Sequence, residues 1–293
     1  MNWATEHRTW PYSGNSEFVL CKPHRWHVQD VGSGPLLLLI HGAGGSTHCW
    51  QHLIPFLQEN YRVVAIDLPG QGFTKLGAQQ RCGLDDMAED ILALCTHQNW
   101  QPVAIIGHSA GAALALRMAE LRSIPQVIGI NAALDTFHGL AGVLFPALAK
   151  TIAATPLAAT VFSATASQGN TVARIISGTG SSLTPQDLGL YRRLVASRNH
   201  VQATLLMMAQ WKLEPLLARL PDMIVKTLLM AATNDKAVPP ATSHHAAQRL
   251  QNARCVVLPD LGHLAQEEDA ITVASHIYAE LGTAFTPTKE MIS

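Results

Sequence analysis

The residues best suited to do chemistry surround Ser109. Residues 107–111 spell Gly-His-Ser-Ala-Gly, a G-x-S-x-G pattern, between a buried apolar run at 103–106 and a helical run at 112–120. A serine between a strand and a helix sits at a sharp, strained turn, and the flanking glycines let the two elements pass closely. A helix-capping serine at an ordinary turn is the alternative interpretation. The order of strand, motif and helix predicts that Ser109 is a nucleophile.

A serine nucleophile needs a general base, and His263 has the setting expected of one. It lies between a predicted strand at 255–258 and the last predicted helix. Catalytic loops of α/β sheets gather at the carboxyl ends of strands. The other histidines after Ser109 fall in predicted helices or in a helical insertion: His138, His200, His244, His245 and His276. We therefore predict that His263 takes the proton of Ser109.

The acid that orients the imidazole should follow another strand of the sheet. Asp235 comes directly after a predicted strand and fits this role. Asp135, just beyond a different predicted strand, is its main rival. Asp260 is so near His263 in sequence that its geometry would be poor. The expected triad is Ser109, Asp235 and His263.

Acyl transfer also needs backbone donors for the oxyanion. The run His41-Gly42-Ala43-Gly44-Gly45 follows a predicted strand. We predict the N–H of Ala43 as one donor, with Gly44 in reserve, and the N–H of Ala110, beside the nucleophile, as the other. A tight turn that needs positive φ is the alternative. The run lacks the Lys-Ser/Thr of a phosphate loop and does not spell G-x-G-x-x-G, which argues against nucleotide binding.

The elements that must position these residues follow from alternating apolar runs and helical periodicity, which predict an α/β fold with a parallel sheet. Buried strands are expected at 36–40, 62–66, 103–106, 126–130, 227–230 and 255–258, after an opening hairpin at 18–21 and 26–31. Helices are expected at 47–58, 84–98, 110–121, 240–251 and 267–281.

The alternation stops at residues 134–221, which predict an inserted helical cap over a core made of 1–133 and 222–293. The cap carries seven Lys and Arg against three Asp and Glu, so it could favour a substrate or partner that bears carboxylates. Solvated surface cations are the alternative. Several cap side chains could line an apolar pocket or form the core between cap helices: Phe137, Phe145, Met207, Met208 and Trp211.

Composition limits the classes of function. Of the 293 residues, 48% are apolar and 14% are charged, which excludes a disordered chain. A net charge of −1 argues against a nucleic-acid partner. Five cysteines without a C-x-x-C pair argue against a disulfide framework, and without an H-E-x-x-H motif we expect no metal and no cofactor.

The same residues bear on location. The N-terminal residues lack the basic and apolar regions of a secretory signal, which predicts a cytoplasmic protein. The most apolar segment, 139–162, contains Lys150, Pro146 and Pro156 and is therefore a poor transmembrane helix. Peripheral membrane contact through this segment is the alternative, although its single lysine gives it a weakly charged polar face.

Several stretches together resemble the α/β-hydrolases: 36–45, 67–73, 107–111, Asp235 and Gly262-His263. The resemblance implies a mostly parallel eight-stranded sheet with helices on both faces and a cap after the sixth strand. Gln71 stands where many members carry histidine in the D-x-P-G-x-G turn, a position outside the triad. Dehalogenases and epoxide hydrolases of this fold are excluded, because they carry aspartate where Ser109 stands.

A closer resemblance, over nearly the whole chain, is to α/β-hydrolases encoded among bacteriochlorophyll-synthesis genes and described as magnesium chelatase accessory proteins. The stretches that carry it are 2–6, 10–11, 25–28, 107–112, 116–118, 131–134, 177–181 and 262–265. It implies a role in tetrapyrrole metabolism, with a hydrophobic ester or tetrapyrrole-like substrate and magnesium chelatase as a partner. Three interpretations stay open: a serine hydrolase, a porphyrin- or chelatase-binding accessory protein without turnover, and a C–C bond hydrolase or cofactor-free haloperoxidase.

Overall fold

A computed structural model describes residues 1–135 and 169–285 of the chain. Eight strands form one sheet: β1 Ser16–Cys21, β2 His24–Val31, β3 Leu36–Ile40, β4 Arg62–Ile66, β5 Ala104–His108, β6 Gln126–Ile130, β7 Lys226–Ala232 and β8 Ala253–Leu258. Their spatial order is β1-β2-β4-β3-β5-β6-β7-β8. β1 and β2 form an antiparallel hairpin, β2 is antiparallel to β4, and the remaining neighbours are parallel. The predicted α/β fold and its eight-stranded sheet are confirmed.

Eleven α-helices lie in the described residues: α1 Trp3–Glu6, α2 Ile54–Leu57, α3 Leu84–His97, α4 Ala110–Leu121, α5 Thr171–Gly178, α6 Pro185–Ala196, α7 Arg198–Gln210, α8 Glu214–Arg219, α9 Pro240–Arg249, α10 Ala265–Glu268 and α11 Ala270–Leu281. Helices cover both faces of the sheet, so all five residues of β3 are buried. Leu38 packs in the cluster that contains α3 and α4, whereas Leu39 packs in the cluster that contains α11. Successive residues of a strand point to opposite faces, which explains this division.

Two predicted helices are divided in the structure. The segment predicted as a helix at 47–58 contains a 3-10 turn, Thr47–Trp50, followed by the short α2, which has Pro55 in its first turn. The helix predicted at 267–281 is split into α10 and α11 at Asp269, whose side chain accepts from Thr272 N–H and caps α11. Proline in the first turn and aspartate at the N-cap both favour the start of a helix. Pro55 and Asp269 therefore explain why α2 and α11 each begin inside a segment predicted as one helix.

Between β6 and β7, the described residues contain α5 to α8 and no strand. The boundaries of a cap at 134–221 stay a prediction. The apolar segment 139–162 and the pocket candidates Phe137 and Phe145 lie outside the described residues. Within the described ranges, each helix is too short or too polar to cross a membrane.

Candidate active site

Ser109 lies at the junction of β5 and α4. Its backbone has φ +52° and ψ −116°, a strained conformation for a residue with a side chain. The Ser109 N–H donates to the Ile130 carbonyl at 2.9 Å, and the Ser109 carbonyl accepts from Ala112 N–H at 3.1 Å. α4 and β5 approach so closely that a Cβ on Gly107 would lie 2.3 Å from the Gly111 carbonyl oxygen, and a Cβ on Gly111 would lie 2.1 Å from the carbonyl oxygen of Ile40 at the end of β3. This is the local geometry expected of a G-x-S-x-G turn.

Asp235 follows β7 and pairs with His263, which follows β8. His263 Nδ1 donates to Asp235 Oδ2 at 2.7 Å. Asp235 Oδ1 accepts the N–H groups of Ala237 and Val238, both at 2.8 Å. The Asp235 side chain is fully buried, and that of His263 is 12% exposed. A carboxylate on Nδ1–H fixes the imidazole tautomer, so Nε2 of His263 can accept a proton.

The other two aspartates of the sequence analysis are exposed: Asp135 after β6 and Asp260 beside the His263 loop. The carboxylate on His263 Nδ1 is that of Asp235. Among the described residues, the Ser109 hydroxyl and His263 Nε2 have no hydrogen-bond partner. Catalytic hydrogen bonds often shorten only when substrate binds, so these atoms are available for proton transfer.

The glycine-rich loop after β3 lies against the turn that carries Ser109. A Cβ on Gly42 would come within 3.0 Å of the Ser109 Cβ. Neither the Ala43 N–H nor the Ala110 N–H donates to a residue that the structure describes. Backbone donors next to a nucleophile and without a protein acceptor are the groups that an oxyanion hole uses.

Gly44, the reserve donor, is already engaged. Its N–H donates to Gln71 Oε1 at 2.8 Å, and Gln71 Nε2 in turn lies 3.2 Å from the Met207 sulfur on α7. The position where this sequence departs from many α/β-hydrolases therefore holds the glycine-rich loop in place. Of the two candidates in this loop, Ala43 is the one whose N–H has no acceptor among the described residues.

Asp67 holds the chain just after the glycine-rich loop through hydrogen bonds to its buried carboxylate. Its carboxylate accepts from His27 Nδ1 at 2.7 Å, Thr47 N–H at 2.7 Å and Phe73 N–H at 2.8 Å. Burial acts to raise the pKa of Asp67, but His27, His41 and the Phe73 N–H outweigh it and lower that pKa to about 2. The sequence showed Asp67 as part of a turn motif, and the contacts that make it a support come from distant segments.

His200 on α7 links the glycine-rich loop at 41–45 to the turn at 67–73. Its Nδ1 accepts from Gly72 N–H at 3.0 Å, and its Nε2 donates to the Gly44 carbonyl at 3.2 Å. Burial and the nearby His41 lower the pKa of His200 to about 3, so the ring is neutral, as these two bonds require. In the sequence, His200 falls in the predicted helical insertion, without a predicted role. Nothing in its local sequence indicates this bridge.

A loop of the insertion packs against both loops that carry the acid and the base. The Thr179 carbonyl accepts from Lys236 N–H at 3.0 Å, and Ser181 Oγ accepts from Leu264 N–H at 2.8 Å. Lys236 follows the candidate acid, and Leu264 follows the candidate base. The placement of these loops therefore depends on a segment outside the sheet.

The described residues contain no group of three or more His, Cys, Asp or Glu side chains arranged to hold a metal ion. Two surface cavities, of about 310 and 480 Å³, are lined by residues other than the candidate triad. The first lies beside Trp3, Phe18 and Phe73, and the second beside Trp100 and Arg122.

Comparison with known proteins gives two kinds of match. A family model described as the alpha/beta hydrolase fold matches residues 35–270. The chain is 42% identical over 260 residues to the magnesium-chelatase 30 kDa subunit of Rhodobacter capsulatus, covering 88% of this chain and 91% of that protein. It is also 33% identical over 122 residues to protein phosphatase methylesterase 1 of Mus musculus, covering 40% of this chain and 31% of that protein.

Among solved structures, a thermophilic esterase from Thermogutta terrifontis has a TM-score of 0.72 at 22% identity. The match covers 92% of this chain and 98% of the esterase. At this level of identity the likeness concerns the fold, since one fold hosts many activities.

Proposed function

Because this chain belongs to the α/β-hydrolase fold family, we propose that it is a serine hydrolase that cleaves an ester-like or related acyl substrate. The observation that carries the proposal is the bond of 2.7 Å between His263 Nδ1 and the buried carboxylate of Asp235. This bond leaves Nε2 of His263 able to act as a base. Ser109 occupies a strained turn at the same end of the sheet, where the parallel strands finish.

The proposed reaction begins when His263 Nε2 accepts the proton of Ser109 Oγ as this oxygen attacks the substrate carbonyl. The N–H groups of Ala43 and Ala110 stabilise the oxyanion of the tetrahedral intermediate. The intermediate collapses, and the alcohol leaves with the proton from His263. Water then attacks the acyl-enzyme with His263 as base, which releases the acid and restores Ser109.

For the biological role, we propose the accessory function that the name of the Rhodobacter capsulatus relative suggests, in association with magnesium chelatase. A tetrapyrrole-like or other hydrophobic ester is the substrate class that suits such a role. A carboxylate-bearing substrate also suits the insertion, which carries seven basic and three acidic residues.

A second candidate is an accessory protein that binds a porphyrin-like molecule or the chelatase without turnover. The relative's name supports it, because that name records an association and no reaction. The same three side chains could also cleave a C–C bond or act as a cofactor-free haloperoxidase. The pairing of Asp235 with His263 favours an active nucleophile, since binding alone requires no such pair.

The first experiment is covalent labelling with a fluorophosphonate probe, read by intact-mass analysis. We expect one adduct on the wild-type protein and none on Ser109→Ala or His263→Ala. Exposed residues of the same types supply matched controls: Ser123→Ala and His245→Ala should be labelled like the wild type. Far-UV circular dichroism of every variant verifies that each protein is folded.

The outcomes separate the candidate functions. An adduct that depends on both Ser109 and His263 supports the serine hydrolase and justifies a screen of tetrapyrrole methyl esters and simple aryl esters. A folded wild-type protein that takes no adduct would refute the serine mechanism. Labelling that persists in Ser109→Ala would show that the nucleophile is a different residue.

A further inference from the structure

Asn131 is the first residue after β6 and carries an unusual backbone for a residue with a side chain. Its φ is +48°, in the left-handed region that asparagine tolerates better than most residues. It is 2% exposed, and its N–H donates to the Met230 carbonyl at 2.9 Å. Asn131 is thus a buried polar side chain with strained backbone at the carboxyl ends of the strands, where Ser109, Asp235 and His263 also lie. Such a combination indicates a specific role for the side chain.

The Asn131 amide makes its hydrogen bonds to the loop that carries the base and to the end of the strand that precedes the acid. Its Nδ2 donates to the Gly262 carbonyl at 3.0 Å and to the His263 carbonyl at 2.9 Å. Its Oδ1 accepts from the N–H of Ala232, the last residue of β7, at 2.8 Å. Asn131 therefore links the end of the strand before Asp235 to the backbone of His263.

His108, the residue before Ser109, also holds the His263 carbonyl. Its Nε2 donates to the His263 carbonyl at 2.8 Å, so that this oxygen accepts from both His108 and Asn131. Burial and the neighbouring His263 hold the pKa of His108 well below its usual value, so its ring is neutral. Because His108 directly precedes Ser109, the backbone of the base is tied to the turn that carries the nucleophile.

We propose that Asn131 is a positioning residue of the reaction, which sets the His263 imidazole relative to Asp235 and Ser109 by holding the His263 carbonyl. This inference rests on the proposed serine hydrolase. A misplacement of about 1 Å at a reacting group can cost on the order of a hundredfold in rate. Loss of the amide would leave the Gly262 carbonyl and the Ala232 N–H without this partner, and the His263 carbonyl with His108 alone.

The main test is Asn131→Gly, because glycine accepts φ +48° and removes only the side chain. Asn99→Gly is a matched control: Asn99 has φ +55° and is exposed in the turn between α3 and β5. We expect Asn131→Gly to lower the maximal rate of fluorophosphonate labelling by about ten- to a hundredfold with little change in the concentration for half-maximal rate. Asn99→Gly should keep the wild-type rate.

Asn131→Asp is the second variant, because aspartate has nearly the same shape and keeps the acceptor for Ala232 N–H but has no donor when ionised. It should lose labelling as Asn131→Gly does. A structural role alone would lower stability without this specific loss, so urea unfolding is measured on each variant. A folded Asn131→Gly protein that is labelled at the wild-type rate would overturn the proposal.

A readout without catalysis separates this proposal from the serine mechanism. The Nδ1 proton of His263, held by Asp235, can be followed by NMR of protein with ¹⁵N-labelled histidine. We expect it to exchange with water at least tenfold faster in Asn131→Gly than in the wild type or Asn99→Gly, because the loops are no longer tied. An unchanged exchange rate contradicts the positioning role even if the wild type takes no label.

Discussion

Glu267 lies on α10, just after the His263 loop, and its replacement by glutamine should change how stability depends on pH. The carboxyl group is buried and accepts a hydrogen bond from Tyr191 Oη at 2.7 Å, while its other oxygen has no partner among the described residues. Burial raises the pKa of Glu267 from 4.5 to about 8, against the opposing effect of the Tyr191 bond. The group is therefore a neutral acid in the folded protein at pH 7.

The magnitude follows from linkage between proton binding and folding. Between pH 4.5 and about 8 the folded protein holds a proton on Glu267 that the unfolded chain has lost. The contribution of this group is fully present below pH 4.5 and is lost as pH rises through 8, with a slope of about −1.4 kcal/mol per pH unit. The shift corresponds to about 5 kcal/mol in total. Glutamine, which resembles the neutral acid in shape and can accept from Tyr191, should remove this slope.

The assay is urea unfolding of the wild type and Glu267→Gln at pH 5, 6, 7 and 8. The free energy of unfolding of the wild type minus that of the variant should fall by about 1.4 kcal/mol for each pH unit. Other titrating groups cancel in this difference. Glu59→Gln, at an exposed glutamate, should give a curve parallel to the wild type. Parallel curves for Glu267→Gln as well would refute the assignment of a buried neutral acid.

Two further changes test how the insertion supports the site. Gly180→Ala would place a Cβ 1.8 Å from the Asn234 carbonyl oxygen at φ +88°, so it should displace the Asp235 loop, lower labelling by about tenfold and destabilise the protein by about 1–3 kcal/mol. Gly178→Ala, whose new Cβ has no atom of the described residues within 4 Å, should leave labelling unchanged. His200→Leu leaves the buried Gly72 N–H and the partly buried Gly44 carbonyl without this partner and should cost about 2–4 kcal/mol in urea unfolding, whereas His245→Leu at an exposed position should cost less than about 0.5 kcal/mol.

The amino-acid sequence determined the features that depend on neighbours along the chain. The apolar runs that became β3, β5 and β6 are buried throughout, because a strand covered on both faces needs apolar side chains at successive positions. The run at 255–258, also expected to be buried, lies in the edge strand β8, where only Leu258 is buried. The strand, the G-x-S-x-G motif and the helix around Ser109 are contiguous, so their pattern alone predicted the turn. The rule that loops after parallel strands share one edge also placed Asp235 and His263 in the same region, although it left Asp135 as a rival.

The tertiary structure decided which of these groups meet. It joined His263 to Asp235 at 2.7 Å, used the Gly44 N–H for Gln71, and set His200 between two loops, one of them 156 positions away from it in the chain. It also made Asn131 a link between the β7 end and the His263 loop. Such contacts depend on strand order, register and the packing of the insertion, and these are set by the whole core. The sequence around a residue therefore does not indicate which distant partners folding brings within about 3 Å of it.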